Sequence, residues 1–148
     1  MNAVHPEPAA GGNAYNRGVI TEFRASAGAV GGSFAGTPLL LLTTWGRRSG
    51  EPRTTPLVHL TEGGRPVVFA SNGGAPADPD WYRNLAARPE VTVELGAERY
   101  PALAVPVTGG ERYEALWAAQ IAAQPAFAAY RARAGRVVPL VELRRAAG

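Results

Sequence analysis

The chain has 148 residues, 46% of them hydrophobic and 18% charged, with a formal net charge of +3. That balance belongs to one soluble globular domain with a sizeable core, and it is too weakly basic for a protein that grips nucleic acid through a field of cations. Cysteine is absent, which excludes disulfides, thiolate chemistry and cysteine-ligated zinc or iron–sulfur centres. The histidines, His5 and His59, lie far apart, so no metal site is expected.

All fifteen basic residues are arginine. A guanidinium is a rigid fork suited to phosphate and carboxylate. A genome rich in Ala, Gly, Pro and Arg codons accounts for the missing lysines. It does not account for Arg47 and Arg48 side by side in one turn.

Residues 1–13, "MNAVHPEPAAGGN", read as a disordered leader followed by a single domain over 14–148. The leader lacks the basic and apolar regions of a signal peptide. From Ala14 to about Ala27, Val19, Ile20 and Phe23 recur at helical spacing between Arg17, Glu22 and Arg24. The apolar face of this helix is expected to pack on the domain, with contact at a membrane surface as the alternative. No apolar run approaches the ~18 residues that span a bilayer. A cytoplasmic location follows as the expectation, peripheral membrane contact being left open.

Pro38–Thr44 is apolar without alternation until two threonines, as in a strand buried on both faces. Arg53–Thr61 alternates, and Pro56 puts that strand at an edge or bulge. Arg65–Ser71 follows a Gly63–Gly64 turn and forms a hairpin with it. Val91–Leu95 and Arg99–Val107 make a second hairpin across Gly96-Ala97, and Val137–Leu143 supplies the last strand. Asp78-Pro79 predicts a helix start with Asp78 as N-cap, ended by Pro89. Thr108 and Glu111 have the spacing of a capping box, ahead of a helix burying Tyr113, Leu116, Trp117 and Ile121. A further helical segment, about Pro125 to Ala134, carries Phe127 and Tyr130. Six strands with peripheral helices predict an α+β fold around a small, partly open β-barrel.

Two loops carry the candidate chemistry. The turn Gly46–Gly50 with Arg53 places three guanidiniums and the Ser49 hydroxyl together, a receptor for phosphate or carboxylates. The stretch "ASNGGAP", Ala70–Pro76, follows a strand; its glycines leave room for a flat ring against backbone, with Ser71 and Asn72 at the edge. Gln124, Phe127 and Tyr130 either overhang a pocket or pack in the core; Trp81 and Trp117 are assigned to core. Neither a nucleophile elbow nor a Walker loop occurs. A cationic groove without acid–base machinery of its own points to a bound cofactor that reacts while the protein orients it.

"TTWGRRSGEPRTTPLVHL" followed by "VVFASNGGAPADPDWYRNLAARPEVTVEL" resembles the deazaflavin-dependent nitroreductase family, including its F420H2-dependent quinone reductase-like members, from about Asn16 to Leu143. The resemblance implies a split β-barrel of the FMN-binding type. It also implies hydride transfer from reduced coenzyme F420 to quinones, nitro compounds or other electron-poor acceptors. On this likeness Gly46, Arg47, Arg48, Ser49 and Gly50 grip the phosphate end, with Arg53 nearby. Thr54, Thr55, Pro56, Leu57 and Val58, together with Ala70, Ser71, Asn72 and Gly73, line the ring. Asp80, Trp81, Tyr82 and Asn84 finish the groove, and Ser71 and Tyr130 are the catalytic candidates. The chain departs from the prodrug-activating members at Gln124 and Phe127, where they carry tyrosines, and at Trp45 and His59. An FMN- or haem-type cofactor in the same barrel, a non-catalytic F420 carrier, and a monomer or homodimer are the alternatives kept open.

Overall fold

The computed structural model describes residues 14–146; the leader expected over 1–13 lies outside them. Its elements are α1 (Ala14–Ala25), β1 (Leu39–Trp45), β2 (Pro52–Glu62), β3 (Arg65–Phe69), α2 (Asp80–Ala87), β4 (Glu90–Leu95), β5 (Glu98–Val107), α3 (Glu111–Ala123), α4 (Ala126–Ala134) and β6 (Leu140–Arg145).

The strands form a closed antiparallel barrel in the order β1-β2-β3-β6-β5-β4. The barrel is therefore not partly open, as the strand pattern alone suggested. Leu41, Leu42 and Thr43 of β1 pair with Glu94, Val93 and Thr92 of β4, and Val67, Val68 and Phe69 of β3 pair with Glu142, Val141 and Leu140 of β6. These pairings join strands far apart in the chain, where no turn residue announces them, and closure leaves fewer free strand edges.

β1 shows why its sequence is apolar on both faces. Leu40 and Leu42 enter the barrel's interior with Val68, Val93, Tyr100, Val141 and Leu143. Leu39 and Leu41 meet Val19, Ile20 and Phe23 of α1 on the outside. A third cluster packs Val67, Phe69 and Leu140 against Tyr113, Leu116 and Trp117 of α3. Arg24 ties α1 to the barrel through two 2.9 Å hydrogen bonds to the buried carboxylate of Glu94. Pro56 lies opposite Leu41, whereas β3 pairs with β2 only at His59–Glu62. At Pro56 the strand is thus paired on one side, a position that tolerates a missing N–H. Gly63 and Gly64, at φ 58° and 79°, give the left-handed two-residue turn that matches strand twist between β2 and β3.

Helix starts and one strand end differ from the local signals. Asp78 does not cap α2; Pro79 precedes the helix without a side-chain cap, and Asp78 pairs with Arg136 at 2.6 Å. The Thr108–Glu111 box does not form, because Gly110 (φ 92°) turns the chain directly into α3. The buried face of α3 ends with Gln120, and Ile121 is only partly buried. β6 begins at Leu140 rather than Val137, which is 65% exposed; the Val138 carbonyl accepts from the Tyr113 hydroxyl at 2.7 Å.

The registers bring the β1–β2 turn, the end of β3 and the start of β6 to one end of the barrel. α2 crosses that end and sends Trp81 and Leu85 into the interior cluster. Loops gathered by the strands, with a helix as floor, form the candidate site there.

Candidate functional site

The β1–β2 turn is held by its own backbone. Gly46 N–H donates to Glu51 O and Gly50 N–H to Gly46 O, both at 2.8 Å. Ser49 Oγ accepts from Glu51 N–H at 3.1 Å, which leaves its own O–H available as a donor. A Cβ on Gly46 would stand 2.5 Å from that oxygen, so a larger residue there would displace the Ser49 hydroxyl from its bond to Glu51 N–H.

Beside the turn lies a cavity of about 340 Å³ lined by Asn16, Gly46, Arg47, Arg48, Ser49, Arg53, Thr54, Thr55, Asp80, Trp81 and Asn84. Three guanidiniums face one carboxylate there, an excess of positive charge that favours an anionic ligand. The arginines are not equivalent. Arg47 donates to Asn84 Oδ1 through its backbone N–H (3.2 Å) and Nη1 (2.9 Å), and to Asp80 at 3.3 Å. Among the described residues, Arg48 and Arg53 have no such partner. Arg47 thus braces the turn while the other two guanidiniums stay available.

Asn84 is the centre of the brace. It is buried, and its Nδ2 donates to Thr44 Oγ1 at 3.2 Å while its Oδ1 holds Arg47. One side chain of α2 therefore fixes both the end of β1 and the basic turn. Nearby, the hydroxyls of Thr43 and Thr54 share a 2.8 Å hydrogen bond across β1 and β2. Trp81 both lines the cavity and packs in the interior, in keeping with its assignment to core.

The structure brings ten of the expected residues to this cavity and adds Asn16 from α1, which only its three-dimensional position reveals. Gly50 closes the turn at φ 72°. Pro56 sits on the strand beyond the cavity, Leu57 packs against the interior cluster and Val58 against α1. Tyr82 rests against the interior cluster; burial, reinforced by the charge of Asp78, raises its phenol above the ordinary value.

The loop after β3 reaches the same end of the barrel. Ala70 and Ser71 are buried, and Asn72 and Gly73 are exposed in left-handed conformation at φ 52° and 63°. The space beside Gly73 is open, as a ring-accommodating position requires. Gly74 is different: a Cβ there would lie 3.1 Å from Arg133 Cβ and 3.2 Å from Tyr130 O. Its missing side chain serves the close approach of α4, not a ligand ledge. Tyr130 lies on that helix with its ring 5.1 Å from Phe127, which packs edge-on to Phe69 at 5.8 Å. Phe127 is thereby partly buried against the core, and Gln124 ends α3.

A basic turn, a helix floor and a glycine loop at one barrel mouth match a known arrangement in sequence. The profile of the F420H(2)-dependent quinone reductase family covers residues 15–144. The chain belongs to this family. It is 36% identical over 128 residues to the F420H(2)-dependent quinone reductase Rv1261c of Mycobacterium tuberculosis, spanning 83% of this chain and 85% of that one. A solved F420-H2 dependent reductase, FDR-A, superposes with a TM-score of 0.66 at 35% identity, over 72% of this chain and 94% of its own. Another solved chain, described as a domain-swapped dimer, gives the same score and identity over 72% and 80% of the two chains. Membership in the F420H(2)-dependent family makes this barrel an oxidoreductase and reduced coenzyme F420 its cofactor.

Proposed function

We propose that this family member transfers a hydride from reduced F420 to a quinone-like acceptor, with nitro and other electron-poor compounds as lesser substrates. The observation that carries the reading is the pair Arg48 and Arg53, free of acidic partners among the described residues, beside the cavity and next to the Ser49 hydroxyl, whose O–H is available as a donor. The residues present fit the coenzyme's acidic phospholactyl and glutamyl portion, since two guanidiniums and Ser49 offer donors where, among the described residues, Asp80 is the one carboxylate lining the cavity.

When bound, the reduced deazaflavin supplies two electrons as a hydride from its ring carbon. The chain does the rest. Arg48, Arg53 and Ser49 hold the anionic end. Thr54, Thr55, Trp81 and Asn84 wall the cavity, and the loop Ala70–Gly73 receives the flat portion. Such fixing of donor against acceptor, with water excluded, is the main catalytic device open to a site of this kind. A quinone that takes up hydride is left with an oxyanion that must gain a proton. Ser71 and Tyr130 are the side chains assigned to donate a hydrogen bond or proton there.

The expected workplace is the cytoplasm; no helix among the described residues is long and apolar enough to cross a membrane. Because one relative is described as a domain-swapped dimer, a homodimer is the assembly to seek, and size-exclusion chromatography with light scattering reads it directly. The activity is tested by titrating the protein with F420 fluorescence and following the loss of reduced F420 absorbance with menadione. Binding in the micromolar range or tighter, with protein-dependent oxidation, supports the proposal. Binding without oxidation by any quinone or nitroaromatic would make the protein a carrier, and no binding at low salt would end the reading.

A further inference from the structure

A dense set of polar contacts lies outside the cavity. Arg136, two residues past the end of α4, is largely buried, with 16% of its side chain exposed. Its Nη1 meets Asp78 Oδ1 at 2.6 Å. Its Nε donates to Ala75 O at 3.3 Å, and Nη2 reaches Ala70 O at 3.1 Å, Ala77 O at 3.0 Å and Ser71 O at 3.5 Å. Arg133, from the last turn of α4, donates to Gly73 O at 3.0 Å. Two guanidiniums thus take up carbonyls at positions 70, 71, 73, 75 and 77 of one loop.

Besides these contacts the loop is anchored by the Ala70 N–H donating to Pro139 O at 2.9 Å and by Gly74 lying close against α4. It has two internal backbone bonds, Gly74 N–H to Ser71 O and Ala75 N–H to Asn72 O, plus one from Asn72 Nδ2 to Ala77 O. It includes three consecutive residues at positive φ, Asn72, Gly73 and Gly74; glycine adopts this freely, but the non-glycine Asn72 keeps it only where the surroundings enforce it. Only arginine among the side chains offers five donors in a fixed fork; a lysine could not reach carbonyls spread over eight positions.

We propose that Arg136 is a positioning residue for the reaction: it clamps the loop 70–78 and so sets where Ser71 and the backbone of Asn72 and Gly73 stand relative to the ring. Arg133 assists from α4. The inference rests on the F420 reading for its effect on turnover, but the clamp itself is a property of this chain alone. It predicts a division of labour between cationic groups. Arg48 and Arg53 govern how tightly the coenzyme's acidic end is held; Arg136 governs how well the reacting part is aligned.

The test uses Arg136→Ala, Arg136→Lys and the milder Asp78→Asn in the full-length chain. Hydrogen–deuterium exchange without coenzyme should show amides of residues 70–78 exchanging about tenfold faster or more in Arg136→Ala, with the β4–β5 hairpin unchanged. With coenzyme, kcat for menadione should fall at least about tenfold while the F420 dissociation constant changes less than about threefold. Arg136→Lys should behave like the alanine variant, and free guanidinium at millimolar concentration should restore part of the alanine variant's rate. Should Arg136→Ala fail to fold, Asp78→Asn must show the same pattern in smaller degree. Unchanged exchange in the loop overturns the clamp, and faster exchange with unaltered kcat overturns its role in the reaction. Failure of the wild-type protein to bind F420 would instead remove the functional reading, while the exchange measurement still decides the clamp.

Discussion

Asn84→Ala removes the brace between α2, β1 and the basic turn. Three hydrogen bonds disappear: two accepted from Arg47, at 3.2 and 2.9 Å, and one donated to Thr44 at 3.2 Å. A hydrogen bond to a charged group contributes about 1.5–3 kcal/mol and a neutral one about 0.5–1.5 kcal/mol. Because the three share one side chain and do not add fully, the expected loss is about 2–4 kcal/mol. For a domain of this size that corresponds to a fall in Tm of roughly 5–12 °C. Urea denaturation at neutral pH, followed by tryptophan fluorescence, gives the loss directly. The companion Asn84→Asp keeps both acceptor bonds and lets the Thr44 hydroxyl donate, so it should retain most of the stability. It also places a negative charge on Arg47, and coenzyme affinity should drop about tenfold, or about 1.4 kcal/mol. A destabilisation of Asn84→Ala below about 1 kcal/mol, or equal affinities in Asn84→Asp and wild type, would refute the reasoning.

Arg48→Ala and Arg53→Ala should each weaken F420 binding by about tenfold or more and flatten its dependence on salt, whereas Asp80→Asn should strengthen it by about threefold; fluorescence titration at two ionic strengths separates these outcomes. Gly74→Ala, which combines φ 88° with contacts at 3.1 and 3.2 Å, should destabilise by about 2–4 kcal/mol, against about 1 kcal/mol for Gly73→Ala in open space; equal thermal shifts would contradict the packing described. Burial lowers the pKa of His59 below imidazole's ordinary value, a backbone hydrogen bond at Leu60 opposing it only in part. The unfolded chain therefore binds a proton that the native state refuses. The stabilisation is complete above about pH 6.5 and is lost as pH falls from there through the lower folded value. Comparing urea midpoints at about pH 8 and about pH 5.5 should show a smaller change for His59→Leu than for wild type, and identical slopes would discount His59.

Local signals carried much of the architecture into view. The apolar run at Leu39–Leu42 marked a strand with two buried faces, and Gly63–Gly64 and Gly96-Ala97 marked hairpins, because turn chemistry and burial act on neighbouring residues. The turn with Arg47, Arg48 and Arg53 was legible as charge with no local reason to be there. What escaped is non-local. Asp78 has the residue type and spacing of a cap, yet its partner is Arg136, 58 positions away. Barrel closure depends on β1 meeting β4 and β3 meeting β6. Gly74 has the same identity as Gly73, and only the approach of α4 tells them apart. The difference between Arg47 and its two neighbours likewise depends on a helix that begins 33 residues later.

The seams of the barrel have unequal lengths. β1–β4 and β3–β6 are joined over three residue pairs each, while β1–β2 spans seven and β4–β5 and β5–β6 six each. The molecule is thus two three-stranded meanders laid together along two narrow joints, with the stretch from Ala70 to Pro89 carrying the chain from one to the other. A ligand lodged between the basic turn of the first meander and α2 ties that meander to the bridging stretch, whose Trp81 and Leu85 pack among Val91, Val93 and Tyr100 of the second. Occupancy should then be felt at the opposite wall as slower parting of the two halves, so that a filled mouth and a tight shell become one property.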